Sequence, residues 1–355
     1  MSIAPNLPTT PDASPAPNRR FDARRTLRSA MEMGLRAVAL LVVFIAFGVA
    51  TPGGAFFSAG NVENILMQSA VYTMAGLGMT MVIITGGIDL AAGSTIALAM
   101  VVTALILTGG DGAFLAEHPV ACTALAVAAG AITGASVGLV QGLLITGLNL
   151  VPFIITLGGM MAVRGLAKGV ADNQEISPSS ANWLYRELMF PVQGQTFSWQ
   201  LFPIGVWLTV AAAVGAALFL RYTRSGRRIY AVGSSEPTAR LCGIPVQRTK
   251  VAVYALSGCF AGLAGVLEFS KLNMGQPTGA QTYELYIIAA CVIGGTSLTG
   301  GVGTVFGTVI GALIIGTLNA GVQQAGWEKW VQEVVIGAII IIAVALDQLP
   351  FRRTR

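Results

Sequence analysis

Asp89 is the residue whose chemistry fits its surroundings least. It sits at a break in a long apolar stretch, between Gly87 and Gly93. A charge at the centre of a bilayer costs roughly 2.5–3.5 kcal/mol on insertion scales, so such a carboxylate ordinarily lines a cavity or has a partner. Two roles are open: a lone acid coupled to proton movement, or a carboxylate at the membrane interface that caps the following helix. No histidine or second carboxylate stands beside it as a relay, so capping is the favoured role. Catalysis finds little else to work with. His118, beside Pro119, is the single histidine, and Cys122, Cys242, Cys259 and Cys291 show neither CxxC pairing nor regular spacing. They read as small core residues rather than a disulfide framework or metal site. An intramembrane enzyme would need a nucleophile and base or a metal cluster, and neither is present. No Gly-x-x-x-x-Gly-Lys loop occurs, nor any Gly-Lys pair, so the chain has no P-loop for ATP. What remains is a thin set of polar positions able to touch a passing solute: Gln68, Asp89, Gln141, Thr156, Ser297 and Asn319.

The elements that must carry these residues are membrane helices. The hydrophobic fraction is 54%, charged residues make up 10% and mean hydropathy is +0.72, which excludes an ordinary soluble domain. A span needs about 20 apolar residues. Such runs lie near 35–51, 64–86, 89–108, 119–147, 151–170, 201–221, 251–271, 284–298, 302–322 and 331–349, about ten spans in all. Gly86-Gly87-Ile88-Asp89-Leu90-Ala91-Ala92-Gly93 returns 208 residues later as Gly294-Gly295-Thr296-Ser297-Leu298-Thr299-Gly300-Gly301. Two related halves of this kind are common in transporters. Ser297 falls opposite Asp89 and is also a capping type.

Charge orients the spans. Most of the 21 basic residues fall in residues 19–36, in 221–250 and at Arg352, Arg353 and Arg355. The positive-inside rule then puts both termini and the middle loop in the cytoplasm, with Arg164, Lys168, Arg186, Lys271 and Lys329 outside. The two Gly-Gly repeats run the same way, so the duplication is parallel. The expected organisation is a disordered basic tail over 1–33, suited to acidic lipid rather than nucleic acid, then a permease-like membrane domain over 34–349 and a tail over 350–355. The repeat occupies about 64–170 and 251–349. Glycines recur at every fourth position, as Gly130, Gly134, Gly138 and Gly142 in span four and as Gly303, Gly307 and Gly311 in span nine. Close helix packing is their expected role.

The segment 222–250 is the most informative loop. Ser235 followed by Glu236 and Pro237 can start a helix and Gly243 can end it. The expectation is a short helix showing Ala239, Leu241, Cys242 and Ile244 among charged neighbours, placed to pass movement from a soluble partner to the spans.

These stretches carry a resemblance. Gly86-Gly87-Ile88-Asp89-Leu90 with Gly93-Ser94, Pro152-Phe153-Ile154-Ile155-Thr156-Leu157-Gly158 leading to Arg164-Gly165-Leu166, Tyr230-Ala231-Val232-Gly233-Ser234 through Ala239-Arg240-Leu241-Cys242-Gly243-Ile244, and Gly294-Gly295-Thr296-Ser297-Leu298 through Gly303 and Gly307 stand in one order from about 60 to 320. Together they are similar to the permease subunits of ribose-type ABC sugar importers. Ala91-Ala92 departs from the Ser-Val common there. The resemblance implies an all-α, type II-like polytopic permease of the bacterial inner membrane, paired with itself or a paralogue. Its expected partners are a cytoplasmic ABC ATPase that uses ATP and Mg, and a periplasmic sugar-binding protein. Glu236, Ala239, Arg240, Leu241, Gly243 and Ile244 would be the coupling segment. The competing reading, a carrier driven by protons or sodium, calls for several buried carboxylates on facing helices. Glu63, Asp111, Glu117, Glu284 and Glu328 instead fall near expected span ends.

Overall fold

The computed structural model describes residues 23–108, 118–178 and 202–328, with Leu188 and most positions between 330 and 341. All named elements are helical: α1 (Ala23–Ala50), α2 (Ala59–Ile84), α3 (Ala92–Thr108), α4 (Pro119–Gly147), α5 (Pro152–Val170), α6 (Ile204–Tyr222), α7 (Arg224–Ser234), α8 (Glu236–Leu241), α9 (Val246–Leu272), α10 (Tyr283–Ile293) and α11 (Val305–Gln324). Among the described residues seven of these are long and apolar enough to cross a membrane, and α3 and α10 are shorter apolar helices. The molecule is an all-α polytopic membrane protein. Most of the tenth expected span, near 331–349, lies outside the described residues, as do residues 1–22, Arg186 and the carboxyl-terminal arginines.

Local chemistry sets the helix ends. The Ser58 hydroxyl accepts from the Asn61 amide at the start of α2, and proline occupies the first turn of α4 and α5, where its missing N–H costs nothing. α9 stops where Asn273 turns left-handed. Several expected boundaries move. α1 begins at Ala23, so residues 23–33, expected as tail, are helical. α3 starts at Ala92, leaving 85–91 irregular. α10 ends at Ile293, and at about 1.5 Å per residue its 11 residues reach only about 16 Å, half a bilayer core.

α2 is the axis of the bundle and its span is buried throughout. α10 runs beside it in the same direction: the Tyr72 and Tyr286 rings lie 5.9 Å apart, and Thr80 Oγ1 lies 3.4 Å from Cys291 Sγ. α11 runs the opposite way, tied by Thr80 to Thr308 (2.6 Å) and by Asn319 to Tyr72 (2.8 Å). The most extensive helix contact is α4 on α9. There the glycine series does the packing. A Cβ on Gly134 would meet the Gly258 carbonyl at 2.1 Å, and one on Gly138 would meet the Tyr254 carbonyl at 2.0 Å. In α11, Gly307 and Gly311 lie against Gly294 and Ala290. Gly303 does not belong to that series, because α11 starts at Val305. α1, α5 and much of α4 and α6 show Leu35, Val42, Leu139, Ile154, Met161 and Leu208 outward, the face a lipid or a second membrane subunit would cover.

Candidate coupling and translocation sites

At one end of the bundle α7 and α8 form a bracket that the sequence announced only in part. α8 matches the expected short helix. The Ser235 hydroxyl accepts from Thr238 N, Pro237 sits in the first turn, and Gly243 follows at φ 75°. Glu236 accepts from both Arg240 Nη2 and Lys250 Nζ at 2.7 Å, which ties α8 to α9. Lys250 first, then Arg240, holds the Glu236 carboxyl below the usual carboxylate range. The expected display of side chains divides. Leu241 is 89% exposed, with Arg240 and Cys242 beside it, so Cys242 is a surface residue rather than a core one. Ala239 faces inward against Val232 and Val246, with Ile244 packed on them, because a six-residue helix needs a small apolar face to stay docked. A groove of about 490 Å³ runs along this segment from Arg240 to Arg248.

α7 lies within the segment whose sequence reads as loop; Thr223 caps it, its hydroxyl accepting from Gly226 N. It presses on the junction of the two repeat loops. Tyr230 Oη donates to the Gly303 carbonyl (2.8 Å), and Gly301 N donates to the Ile84 carbonyl (2.8 Å). Gly233 lies so close that a Cβ there would come within 1.7 Å of Ile84 O.

The two repeat loops differ in shape. Asp89 is buried, and its Oδ1 accepts from Ala91 N at 3.0 Å, an Asx turn just before α3. Thr304 rather than Ser297 caps α11, accepting from Gly307 N, while the Ser297 hydroxyl pairs with that of Thr299. The cause is that the second loop folds on itself, with Ser297 N bonded to Val302 O and Gly300 and Gly301 left-handed. Its helix therefore restarts five residues later in the repeat frame than α3 does. Thr156 joins the Asp89 region by donating to the Ile88 carbonyl (3.2 Å). Gln141 is buried between α4 and α5, beside Gly159, and among the described residues neither atom of its amide has a hydrogen-bond partner.

Gln68 and Asn319 fall elsewhere, in a cleft of about 370 Å³ at the end of the bundle opposite α8. Its walls come from α2 (Gln68, Tyr72), the end of α9 (Lys271), the start of α10 (Tyr283, Tyr286) and the end of α11 (Asn319). Tyr283 Oη and Lys271 Nζ both donate to Glu268 at 3.0 Å, beneath the cleft floor. The six solute-contact candidates thus form no single site. Gln68 and Asn319 line one cleft, Thr156 bonds the carbonyl of Ile88 next to Asp89, and Gln141 and Ser297 stand apart.

Sequence reading missed Glu268, Tyr72, Tyr283 and the role of Arg164. Glu268 carried a signal, since it stands three residues before Lys271 at the end of an apolar helix. Arg164, expected on the exterior side of the membrane, donates to the carbonyls of Pro277, Gly279 and Ala280. It pins the loop in which Ala280 and Thr282 adopt left-handed φ of 52° and 67°. No sequence rule pairs a mid-helix arginine with carbonyls more than a hundred residues away.

Comparison with known proteins agrees with this architecture. The family described as branched-chain amino acid transport system / permease component matches residues 61–344. The ribose import permease protein RbsC of Escherichia coli K12 is 37% identical over 332 residues, covering 91% of this chain and 96% of its own length. The ribose permease of Bacillus subtilis 168 is 40% identical, covering 87% of this chain and 90% of its own length. The galactose/methyl galactoside permease MglC of Escherichia coli K12 is 38% identical, covering 84% and 90%. No solved structure matches. A family match across most of the chain, carried on an all-α bundle with two parallel repeat loops, leads to one assignment: the chain belongs to the branched-chain amino acid transport system permease family, as a multi-span permease subunit.

Proposed function

We propose that this chain is the membrane subunit of a bacterial inner-membrane ABC importer for a monosaccharide. Two permease subunits, this chain with itself or with a paralogue, would enclose the path. A cytoplasmic ATPase would supply ATP and Mg chemistry, and a periplasmic binding protein would deliver the sugar. The relatives' names, ribose and galactose import permeases, support the substrate class. The clustering of arginines around α7 and α8 supports cytoplasmic termini and a cytoplasmic α8.

The observation that carries the proposal is α8 itself. A six-residue helix is latched to α9 through Glu236 and Lys250, backed by α7 on the repeat loops, and it offers Arg240 and Leu241 outward. A push on that apex has a short route to the ends of α2 and α11. An ion-driven carrier would instead call for several buried carboxylates on facing helices; of the buried Glu63, Asp89 and Glu268, Glu268 is paired with Lys271, Asp89 accepts from the Ala91 amide, and Glu63 stands in the first turns of α2. Substituting Arg240 and Leu241 together by alanine tests the reading. Uptake should vanish while membrane insertion stays normal and the ATPase no longer co-purifies; retained uptake would sink it.

A further inference from the structure

We propose that the cleft opposite α8 is a monosaccharide-accepting site of the permease itself, a low-affinity station where sugar rests after leaving its carrier. This rests on the import reading above. Three features argue for it. First, its volume of about 370 Å³ lies at the small end of the range for small-molecule sites, roughly 300–1,000 Å³. Second, its chemistry suits a sugar, which presents apolar C–H faces and a rim of hydroxyls. Tyr72 stands edge to face with Tyr283 and Tyr286, which are tilted to each other, and the three ring centroids lie 5.1–6.0 Å apart, offering ring surface for the C–H faces. Gln68, Asn319 and Lys271 offer amide and ammonium groups for the hydroxyls.

Third, the polar groups are held in place. Asn319 Nδ2 donates to Tyr72 Oη at 2.8 Å, and Glu268, itself only 3% exposed, anchors both Tyr283 Oη and Lys271 Nζ. Gln68 is the loosest member, with one long bond of 3.4 Å from Nε2 to Asn64, so its amide can turn towards a ligand. The strained loop over Ala280 and Thr282 leads directly into Tyr283, and Arg164 fixes that loop from α5. A movement of α5 would therefore reshape the cleft wall. A site that holds and then lets go needs such a wall.

The test uses the complete complex with its ATPase and binding protein in liposomes, with radiolabelled D-ribose and D-galactose as probes. Uptake and ATP hydrolysis are both recorded. Gln68→Leu and Asn319→Leu each remove hydroxyl-binding capacity at similar volume. The expected result is a fall of about fivefold or more in sugar moved per ATP, the size of one lost hydrogen bond, with sugar-stimulated hydrolysis retained. A purely structural role would lower thermal stability and leave that ratio unchanged, which would overturn the proposal. Gln323→Cys, at the exposed rim, guards against misfolding of the buried variants. In a Cys242→Ser background, a membrane-impermeant thiol reagent should block uptake at Gln323→Cys, and millimolar D-ribose should slow the labelling. Labelling without blockade, or without protection, would also refute it. Absence of ATP-driven uptake in the unaltered complex would instead remove the import reading and this site with it.

Discussion

The amide of Gly301 donates to the carbonyl of Ile84 across 2.8 Å, joining the second repeat loop to the end of the helix that leads into the first. Two sequence copies 208 residues apart thus meet in one junction, and α7 lies on top of it. The C-terminal carbonyl of α2 would otherwise have no helical partner, and a backbone donor from the other copy supplies one. The contact makes the junction a natural point for movement at α8 to enter both halves together.

Gly233→Ala should disrupt that junction. The new Cβ would fall 1.7 Å from Ile84 O and 2.7 Å from Gly301 N, both backbone atoms with no side-chain freedom to yield. Thermal unfolding of the detergent-solubilised protein should show a loss of about 2–3 kcal/mol, at the upper end for overpacking. A melting temperature equal to the parent's would mean α7 is not seated as described.

The α4–α9 seam makes an internal comparison. Gly134→Ala places a methyl 2.1 Å from the Gly258 carbonyl, whereas a methyl at Gly158 of α5 meets nothing within 4 Å among the described residues. The first should destabilise by about 1–3 kcal/mol. The second should be neutral or stabilising by up to about 1 kcal/mol, since alanine is the better helix former. Equal effects in a melting assay would contradict the glycine seam.

Arg164→Leu removes all three carbonyl contacts on the 277–280 loop. Charged hydrogen bonds contribute about 1.5–3 kcal/mol each, so the left-handed Ala280 and Thr282 should lose their support. Hydrogen exchange over 275–283 should rise sharply while the amides of α2 stay protected. Arg164→Lys, with one point charge in place of a fork, should restore protection only in part. Unchanged exchange in the leucine variant would show that the loop holds itself.

The latch at Glu236 has a definite pH sense. Its folded-state carboxyl titrates below the ordinary value, chiefly through Lys250 and then Arg240, so the latch contributes fully at and above the unfolded carboxylate range of about 4.3. Its contribution fades only as pH falls through the lower folded value. Protease sensitivity of 236–250 should therefore be flat from pH 8 to pH 5 and rise in stronger acid. Glu236→Gln should be sensitive across the whole range; a parent protein that loosens already near pH 6 would refute the pairing.

How much of this was legible without coordinates depended on whether the controlling interaction was local. Ser235, Pro237 and Gly243 lie within nine residues of one another, and cap and stop signals act over such distances, so α8 was foreseen almost to the residue. Apolar runs of span length likewise declared an all-α polytopic membrane protein. The burial of Ala239 and Ile244 was not legible, because it depends on which face of a six-residue helix meets Val232 and Val246. The capping role assigned to Ser297 failed because the repeat preserves letters but not loop closure: the turn through Gly300 and Gly301 shifts the helix start to Val305.

Hydropathy and spacing alone determined that this chain lives in a membrane and repeats one Gly-Gly motif. Those properties follow from transfer free energy and short-range backbone chemistry, which a linear string records directly. Only the tertiary structure decided that Gln68 and Asn319 share a cleft, that Glu268 lies beneath it, and that Arg164 reaches the 277–280 carbonyls. Each of those facts rests on which helices become neighbours, and in lipid that choice is made by close backbone packing at glycines. The outcome of that packing appears nowhere in the order of residues along a single span.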